Sequence, residues 1–320
     1  MRIPGLARLA RLVRLPRPLV AVALAGGLTA TACSSDDSAK SAEGTGTGVE
    51  RALASVPASA DMGAIDYVDS ARVRPLAAKD RDLYVNLAHL GIPEAVESPY
   101  AGTSVRARWG FTEKDVTSSV SVTAEGSTSV RLTGTFDADA MARKLKKQGY
   151  RADSGDEVIR VRGTGDDKSE TYELSSSVRV HNPDTRPRLS TTAPKKSAAD
   201  DPAYAKAADC LGDVYEATFY SARRSQDVRL MAIGGRIAAS GRSSETLCAV
   251  TSSKRAARAV AKKLREKTRP GARYAGSKVT IGEGATPLVF MTWKNDLASG
   301  RRPAENNRTG ELPMLLAPPS

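Results

Sequence analysis

The strongest constraint on the fold is a pattern of strand-like runs around one amphipathic helix, which occurs twice along the chain. In the first copy the runs are 105–111, 118–123, 128–135, 157–162 and 171–180. In the second copy they are 214–220, 227–233, 245–251, 278–282 and 288–293. Because alternating strands need one face covered, the pattern predicts an α+β fold with two related modules of β-β-β-α-β-β order. Each module is mostly antiparallel sheet with a helix on one face.

The two helices are the clearest part of this pattern. In the first, Asp137 can cap the N-terminus, and apolar residues recur at i, i+3, i+4 and i+7 over 138–145. In the second, Ser252 or Ser253 can cap, and the same spacing occurs over 257–264. A helix with a single apolar stripe must bury that stripe. We therefore expect each helix to pack on the sheet of its own module.

Three segments outside the two copies also have a predicted structure. Residues 64–68 resemble a short strand, and residues 80–90 form a predicted helix with three leucines on one face. Residues 203–211 form a predicted helix that carries Cys210. The first two segments precede the first copy, and the third precedes the second copy.

The outer face of the second amphipathic helix is strongly basic. Six cations are predicted to lie on it: Lys254, Arg255, Arg258, Lys262, Lys263 and Arg265. These cations can contact anionic lipid headgroups or a phosphate-rich wall polymer, at about 1 kcal/mol per cation near a charged membrane. The preferred interpretation, however, is a solvated face that keeps the protein soluble, with the anionic contact as the alternative. Nucleic acid is not expected as a partner. Only 5% of the residues are aromatic, which leaves few rings for base stacking.

The N-terminus has the three parts of a secretory signal peptide. Residues 1–32 contain five arginines and no acid, and an apolar run at 19–28 is followed by small residues up to Cys33. The stretch 19–32 is shorter than the roughly 20 residues that a membrane-spanning helix needs. The sequence therefore predicts an export signal rather than a permanent transmembrane helix.

Ala30-Thr31-Ala32-Cys33, followed by Ser and Asp residues, resembles the lipobox of bacterial lipoproteins, and the Ala- and Arg-rich composition is similar to that of actinobacterial proteins. The resemblance implies that the Cys33 thiol carries diacylglycerol and anchors the protein on the extracytoplasmic face of the cell membrane. Two acyl chains are needed, since one chain binds only marginally. Ala30 stands where the family usually has Leu, and Ala30-x-Ala32 also fits an ordinary signal peptidase. Simple secretion is the alternative.

The remaining cysteines form an even pair. If Cys33 is lipidated, Cys210 and Cys248 are left in an oxidising compartment, which favours a disulfide between them. Two separate buried thiols are the alternative. We predict no metal site, because His89 and His181 are the only histidines and neither is near the cysteines in sequence.

Breaks in composition divide the chain into regions. Segments rich in Ser, Gly, Thr, Pro and Asp are typical of tethers and linkers. The predicted regions are a signal peptide at 1–32, a flexible tether at 33–50, an N-terminal α+β module at 51–183, a linker at 184–202, a C-terminal α+β module at 203–297 and a loosely ordered tail at 298–320.

The sequence contains no catalytic motif. The glycines around 163–169 have the wrong spacing for a P-loop, and no Gly-x-Ser-x-Gly elbow occurs. We expect His89 to pack or face water on its helix and His181 to be a surface turn residue. We therefore predict no catalytic residues, no metal and no cofactor.

These features favour a lipid-anchored, non-enzymatic envelope module that binds or supports another component. Its partners are the membrane, through the anchor, and an unidentified protein, with anionic lipid or wall polymer as a further contact. A solute-binding lipoprotein that serves a transporter is the first alternative. An envelope hydrolase is the second.

Overall fold

In the computed structural model, twelve strands within the described residues pair in antiparallel fashion and form one continuous sheet. The structure describes residues 46–59, 62–87, 109–124, 126–155, 157–163, 170–183, 188–221, 227–238, 240–284 and 286–316. The strands are β1 Ala64–Val68, β2 Val116–Ala124, β3 Ser127–Gly134, β4 Tyr150–Ser154, β5 Ile159–Gly163, β6 Thr171–Leu174, β7 Val178–Asn182, β8 Glu216–Ser221, β9 Val228–Ile237, β10 Ser243–Thr251, β11 Lys278–Gly282 and β12 Leu288–Lys294.

Seven α-helices accompany the sheet in the described part of the chain. They are α1 Gly48–Ala54, α2 Ser70–Lys79, α3 Ala138–Lys147, α4 Pro202–Leu211, α5 Lys254–Glu266, α6 Glu305–Thr309 and α7 Glu311–Leu316. Asp137 caps α3 by accepting a hydrogen bond from the Ala140 N–H, as predicted. Ser253, rather than Ser252, caps α5 in the same way. The predicted α+β fold class is confirmed.

The strand order is β11-β12-β10-β9-β8-β1-β2-β3-β7-β6-β5-β4. β1 and β8 pair at the centre, and each begins one half of the sheet. In each half three consecutive strands lead to a helix (α3 or α5), and the first strand after that helix forms the outer edge. We call β1–β7 with α3 the N-terminal half, and β8–β12 with α5 the C-terminal half. The N-terminal half has one more hairpin after its helix.

Helices cover both faces of the sheet. The face that we call the front face carries α3 and α5, over two apolar clusters that include Leu145 and Leu264. The back face carries α1 and α4, over one cluster that spans both halves. Cys210 of α4 and Cys248 of β10 form a disulfide in this cluster, so the expected pairing is confirmed. The bond joins α4 to the strand that leads into α5.

The structure departs from the predicted elements at three places in the N-terminal half. The run 171–180 is two strands, because the Ser175 hydroxyl and backbone bond with the Val178 backbone and form a tight turn between β6 and β7. β4 was not predicted. Of the predicted strand 105–111 only 109–111 are described, and these residues are not in a strand.

The helix predicted at 80–90 is wrong in the residues that are described. Asp69 caps α2 by accepting from the Arg72 N–H, so the helix lies ten residues earlier, and Pro75 lies inside it. Residues 81–87 form turns, and residues 88–90 lie outside the described residues. A proline inside a helix masks the helical pattern at sequence level, because proline usually ends a helix.

The predicted linker and tail are more ordered than expected. In the linker, Leu189 and Ala198 are buried in the back-face cluster. In the tail, Leu312 and Leu316 are buried under α5. α1 also begins inside the predicted tether. A few apolar residues in a polar segment are enough to dock it when a neighbouring core leaves a place for them.

Candidate functional site

The basic helix α5 is held on the front face by its apolar stripe. Val260, Leu264 and the alanines between 256 and 261, except the exposed Ala259, are buried against β10, β11 and β12, next to Met291 and Trp293. Burial of this stripe leaves the opposite side in solvent. The sequence therefore predicted both the helix and its orientation.

All six cations predicted on the outer face of α5 are exposed. None of them forms an ion pair with another residue in the part of the chain that the structure describes. By contrast, Lys267 and Arg273, which follow the helix, pair with Glu311 of α7 at 3.6 Å and 3.2 Å. Glu311 is thus paired beside the helix, and the outer face of α5 keeps its positive charge.

Two cations of α5 stand at the end of the helix where cations are least favourable. Lys254 and Arg255 occupy the first turn, which contains no acid. The helix dipole places partial positive charge there, and a cation in the first turn costs about 0.3–1 kcal/mol. Lys263 and Arg265, in the last turn, are favourably placed. Helix stability therefore does not account for the charge at Lys254 and Arg255.

Three acidic side chains lie on the front face at the centre of the sheet, two of them buried and Asp66 half-buried, and sequence reasoning missed all of them. Asp66 of β1 accepts hydrogen bonds from the Thr218 hydroxyl at 2.6 Å and the Ser121 hydroxyl at 3.4 Å. Glu216 of β8 and Glu245 of β10 both lie opposite Gly235 of β9. A side chain at Gly235 would come within 2.8 Å of the Glu216 carboxyl oxygen, so glycine provides the space for that acid.

These acids are shifted toward their neutral forms. Burial raises the pKa of Glu216 well above its ordinary value, and the charges of Glu245 and Asp66 raise it further. Burial raises the pKa of Glu245 to about 7, although the Ala304 N–H and the Trp293 indole N–H both donate to its carboxylate. Burial also raises the pKa of Asp66, against the hydrogen bonds it accepts. Glu216 and Glu245 therefore give the C-terminal half two buried carboxyl groups that can bind protons, and Asp66 lies on β1 of the N-terminal half.

His181 is not the surface turn residue that the sequence suggested. It is 7% exposed, and its ring stacks on Tyr172 with centroids 4.8 Å apart. Its Nε2 lies 3.5 Å from Glu170 Oε2, which also accepts from the Tyr172 and Tyr150 hydroxyls. The contact with His181 and these hydroxyl bonds lower the pKa of Glu170 to about 2, against the effect of burial. His181 was missed because its neighbours arrive from β4 and β6.

A buried arginine lies beside this group. Arg179 of β7 is 1% exposed, and its guanidinium lies 4.7 Å from the centre of the Trp109 ring and 5.4 Å from that of Tyr172. Aromatic faces attract a desolvated cation. The alternation of β7 places Arg179 and His181 on the same side of the strand, which is the one available sequence signal for their proximity.

Two predicted residues cannot be placed. Cys33 and His89 both lie outside the described residues. Within the described ranges, no group of three or more His, Cys, Asp or Glu side chains is arranged to hold a metal ion. No helix among the described residues is both long enough and apolar enough to cross a membrane.

No protein-family model matches the chain, and no curated protein matches it. Similar solved structures include two crystal forms of TP0453. Crystal form IV aligns with a TM-score of 0.41 and 9% identity, covering 79% of this chain and 98% of that one. Crystal form I aligns with a TM-score of 0.39 and 7% identity, covering 84% of this chain and 99% of that one. At these scores the likeness carries no functional conclusion for this chain.

Proposed function

We propose that this chain is a lipoprotein of the bacterial cell envelope, exported by residues 1–32 and held on the extracytoplasmic face of the cell membrane by lipid on Cys33. Its folded part acts as a non-enzymatic binding or structural module. The basic face of α5 provides its contact with anionic lipid headgroups or a phosphate-rich wall polymer, and an unidentified envelope protein is its further partner.

The disulfide between Cys210 and Cys248 carries this proposal. Disulfides persist in oxidising compartments outside the cytosol. The bond uses two of the three cysteines, so Cys33 is the one thiol left for modification. A signal peptide that ends at that thiol supports attachment by lipid.

Feeding cells a labelled fatty acid tests the anchor. Wild-type protein is expected to take up label and to remain with membranes, whereas the Cys33→Ala variant does neither. The double variant Cys210→Ser/Cys248→Ser is the control, because it keeps Cys33 and is expected to take up label. Equal membrane retention of wild type and Cys33→Ala would overturn the proposal.

The exposed cations of α5, which form no ion pair with any other described residue, support the anionic contact. A lipid anchor brings the folded part to the membrane, where each cation adds about 1 kcal/mol of attraction to anionic lipid. Crosslinking in intact cells, followed by identification of the captured proteins, tests the protein partner. Recovery of a permease would contradict the stand-alone binding module and support the alternative, a solute-binding lipoprotein that serves a transporter.

The contact between His181 and Glu170 favours a second candidate, an envelope hydrolase. Against it, Nδ1 of His181 has no hydrogen-bond partner within the described ranges, its Nε2 faces the Glu170 carboxylate, and the ring is buried against Tyr172. A histidine base needs a nucleophile within hydrogen-bond reach. We therefore expect no turnover of ester, amide or glycoside substrates. A hydrolytic activity that disappears in His181→Gln would establish the hydrolase instead.

A further inference from the structure

A pocket of about 600 Å³ opens on the back face of the N-terminal half, far along the sheet from α5. Its floor is formed by β5, β6 and the end of β7, and its wall is the segment 188–190. Small-molecule sites commonly have volumes of about 300–1,000 Å³. The pocket is therefore large enough for a ligand of headgroup size.

The wall of this pocket is fixed in place by buried polar contacts. Asn182, which is 3% exposed, bonds through both side-chain atoms to the backbone of Leu189. Glu173 accepts hydrogen bonds from the Ser190 hydroxyl and the Thr191 N–H. The pocket is thus a built feature of the fold, with its wall bonded to its floor.

Two rows of side chains cross the floor, and their charges differ. In the first row Arg160 of β5 lies between Asp153 of β4 and Glu173 of β6, with the Glu173 carboxylate 3.6 Å from the Arg160 guanidinium. Every cation in this row has an acidic neighbour. The two acids of this row therefore compensate Arg160 and, through the Arg151–Asp153 ion pair, Arg151 as well.

In the second row one cation, Arg162, has no acidic partner among the described residues, whereas Arg151 pairs with Asp153 at 3.6 Å. Arg162 of β5 lies directly opposite Arg151 of β4 on one side and Thr171 of β6 on the other, and Asn182 follows on β7. Arg162 is exposed, lines the pocket, and forms no ion pair with any residue that the structure describes. Like charges directly opposite each other destabilise a sheet. Asp153 already compensates Arg151, so an anion at this row would compensate the remaining cation, Arg162.

We infer that this pocket binds a phosphate monoester. Arg162 provides a planar guanidinium that can hold two phosphate oxygens at once, and the Thr171 hydroxyl beside it provides a further donor. Arg188 also lines the pocket. The inference goes beyond the proposed function, since it concerns the opposite half of the sheet and does not depend on the anchor or on α5.

The two acids that line the pocket do not oppose this ligand. Glu173 is already used by Arg160 and by the wall. Glu170 is turned toward the front face, where Tyr172 and Tyr150 donate to its carboxylate. The anionic charge of both residues is therefore compensated by partners on this chain.

Calorimetric titration of the full chain in detergent tests the inference, with glycerol 3-phosphate, inorganic phosphate and sulfate as probes. We expect glycerol 3-phosphate to bind the wild type, and Arg162→Gln to weaken binding at least about tenfold, as expected for a lost charge-assisted contact. Arg143→Gln on α3 is the matched control, because it removes the same charge from the front face and should leave binding unchanged.

Two further arms complete the test. Vesicles containing phosphatidic acid distinguish a lipid headgroup from a soluble phosphate ester. If the ligand is a lipid headgroup, Arg162→Gln binds these vesicles more weakly than Arg143→Gln does. If the ligand is a soluble ester, the two variants bind the vesicles equally. The melting temperature of Arg162→Gln without ligand should equal or exceed that of the wild type, because the opposed charge is gone. A lower value would show a structural role and overturn the inference. Sulfate binding as tight as glycerol 3-phosphate, no binding of any phosphomonoester, or equal binding by Arg162→Gln would also overturn it.

Discussion

The N-terminal half of the sheet encloses the Arg179 guanidinium between aromatic rings on its front face, whereas the C-terminal half encloses the carboxyl groups of Glu216 and Glu245. The two halves share the order of three strands, one helix and returning strands. A buried cation keeps its charge and is stabilised by the faces of rings. Buried acids avoid the desolvation cost of a buried charge by retaining their protons, which keeps them neutral. The two halves therefore share a topology but accommodate buried ionisable side chains by different means.

The halves differ in covalent support as well. The disulfide lies in the C-terminal half and closes a loop across 38 positions of sequence. We expect Cys210→Ser/Cys248→Ser to lower the free energy of unfolding by about 4 kcal/mol, the loop-closure value for a bond of this span. Urea unfolding under non-reducing conditions measures the change, with Cys33→Ala as the control that keeps the bond. A loss below about 1 kcal/mol would show that packing alone holds α4 on the sheet.

A matched pair of core substitutions tests whether the halves unfold together. Leu145 of α3 and Leu264 of α5 are both fully buried, and truncation of either to Ala should cost about 3 kcal/mol. β1 and β8 pair over five residues, which joins the halves in one sheet. We therefore expect a single unfolding transition that both variants shift. Two transitions, each sensitive to one variant only, would contradict this.

The local pattern of the sequence was sufficient to predict much of this architecture. The spacing of apolar residues placed α3 and α5 correctly, and β1 and β11 have the predicted bounds. The pairing of β1 with β8 was not predictable, because it joins residues about 150 positions apart. Polar residues in alternating strands usually face water. Glu216 and Glu245 instead face a front side that is covered, and the N–H of Ala304 in the predicted tail reaches Glu245.

The opposite treatment of charge predicts opposite responses to pH. Glu170 has a folded pKa of about 2, below its ordinary 4.5, so its contribution is present above about pH 4.5 and is lost as pH falls toward 2. Glu245 has a folded pKa of about 7, so its contribution is present below about pH 4.5 and is lost as pH rises through 7. Glu216, whose pKa is also raised, extends that loss to higher pH.

Urea unfolding between about pH 3 and pH 8 checks this contrast. Glu245→Gln should reduce the fall in stability between about pH 5 and pH 7, and should leave the acid side unchanged. Glu170→Gln should reduce the fall on the acid side alone, and by less, because the Glu170 side chain is 41% exposed and therefore screened by solvent. If either variant altered both sides of the profile, the two halves would not be titrating independently.

The smallest expected effect comes from the first turns of the two basic helices. α3 carries Asp139 in its first turn, where an acid is favoured, whereas α5 carries Arg255. Arg255→Glu should therefore raise the free energy of unfolding by about 0.3–1 kcal/mol, and Arg265→Glu in the last turn should lower it by a similar amount. Both variants remove two units of positive charge, so both should weaken binding to anionic vesicles. If the two variants change stability in opposite directions but weaken vesicle binding equally, the first-turn cations of α5 lower stability and serve an anionic contact. If neither variant changes vesicle binding, the basic face is only a solvated surface.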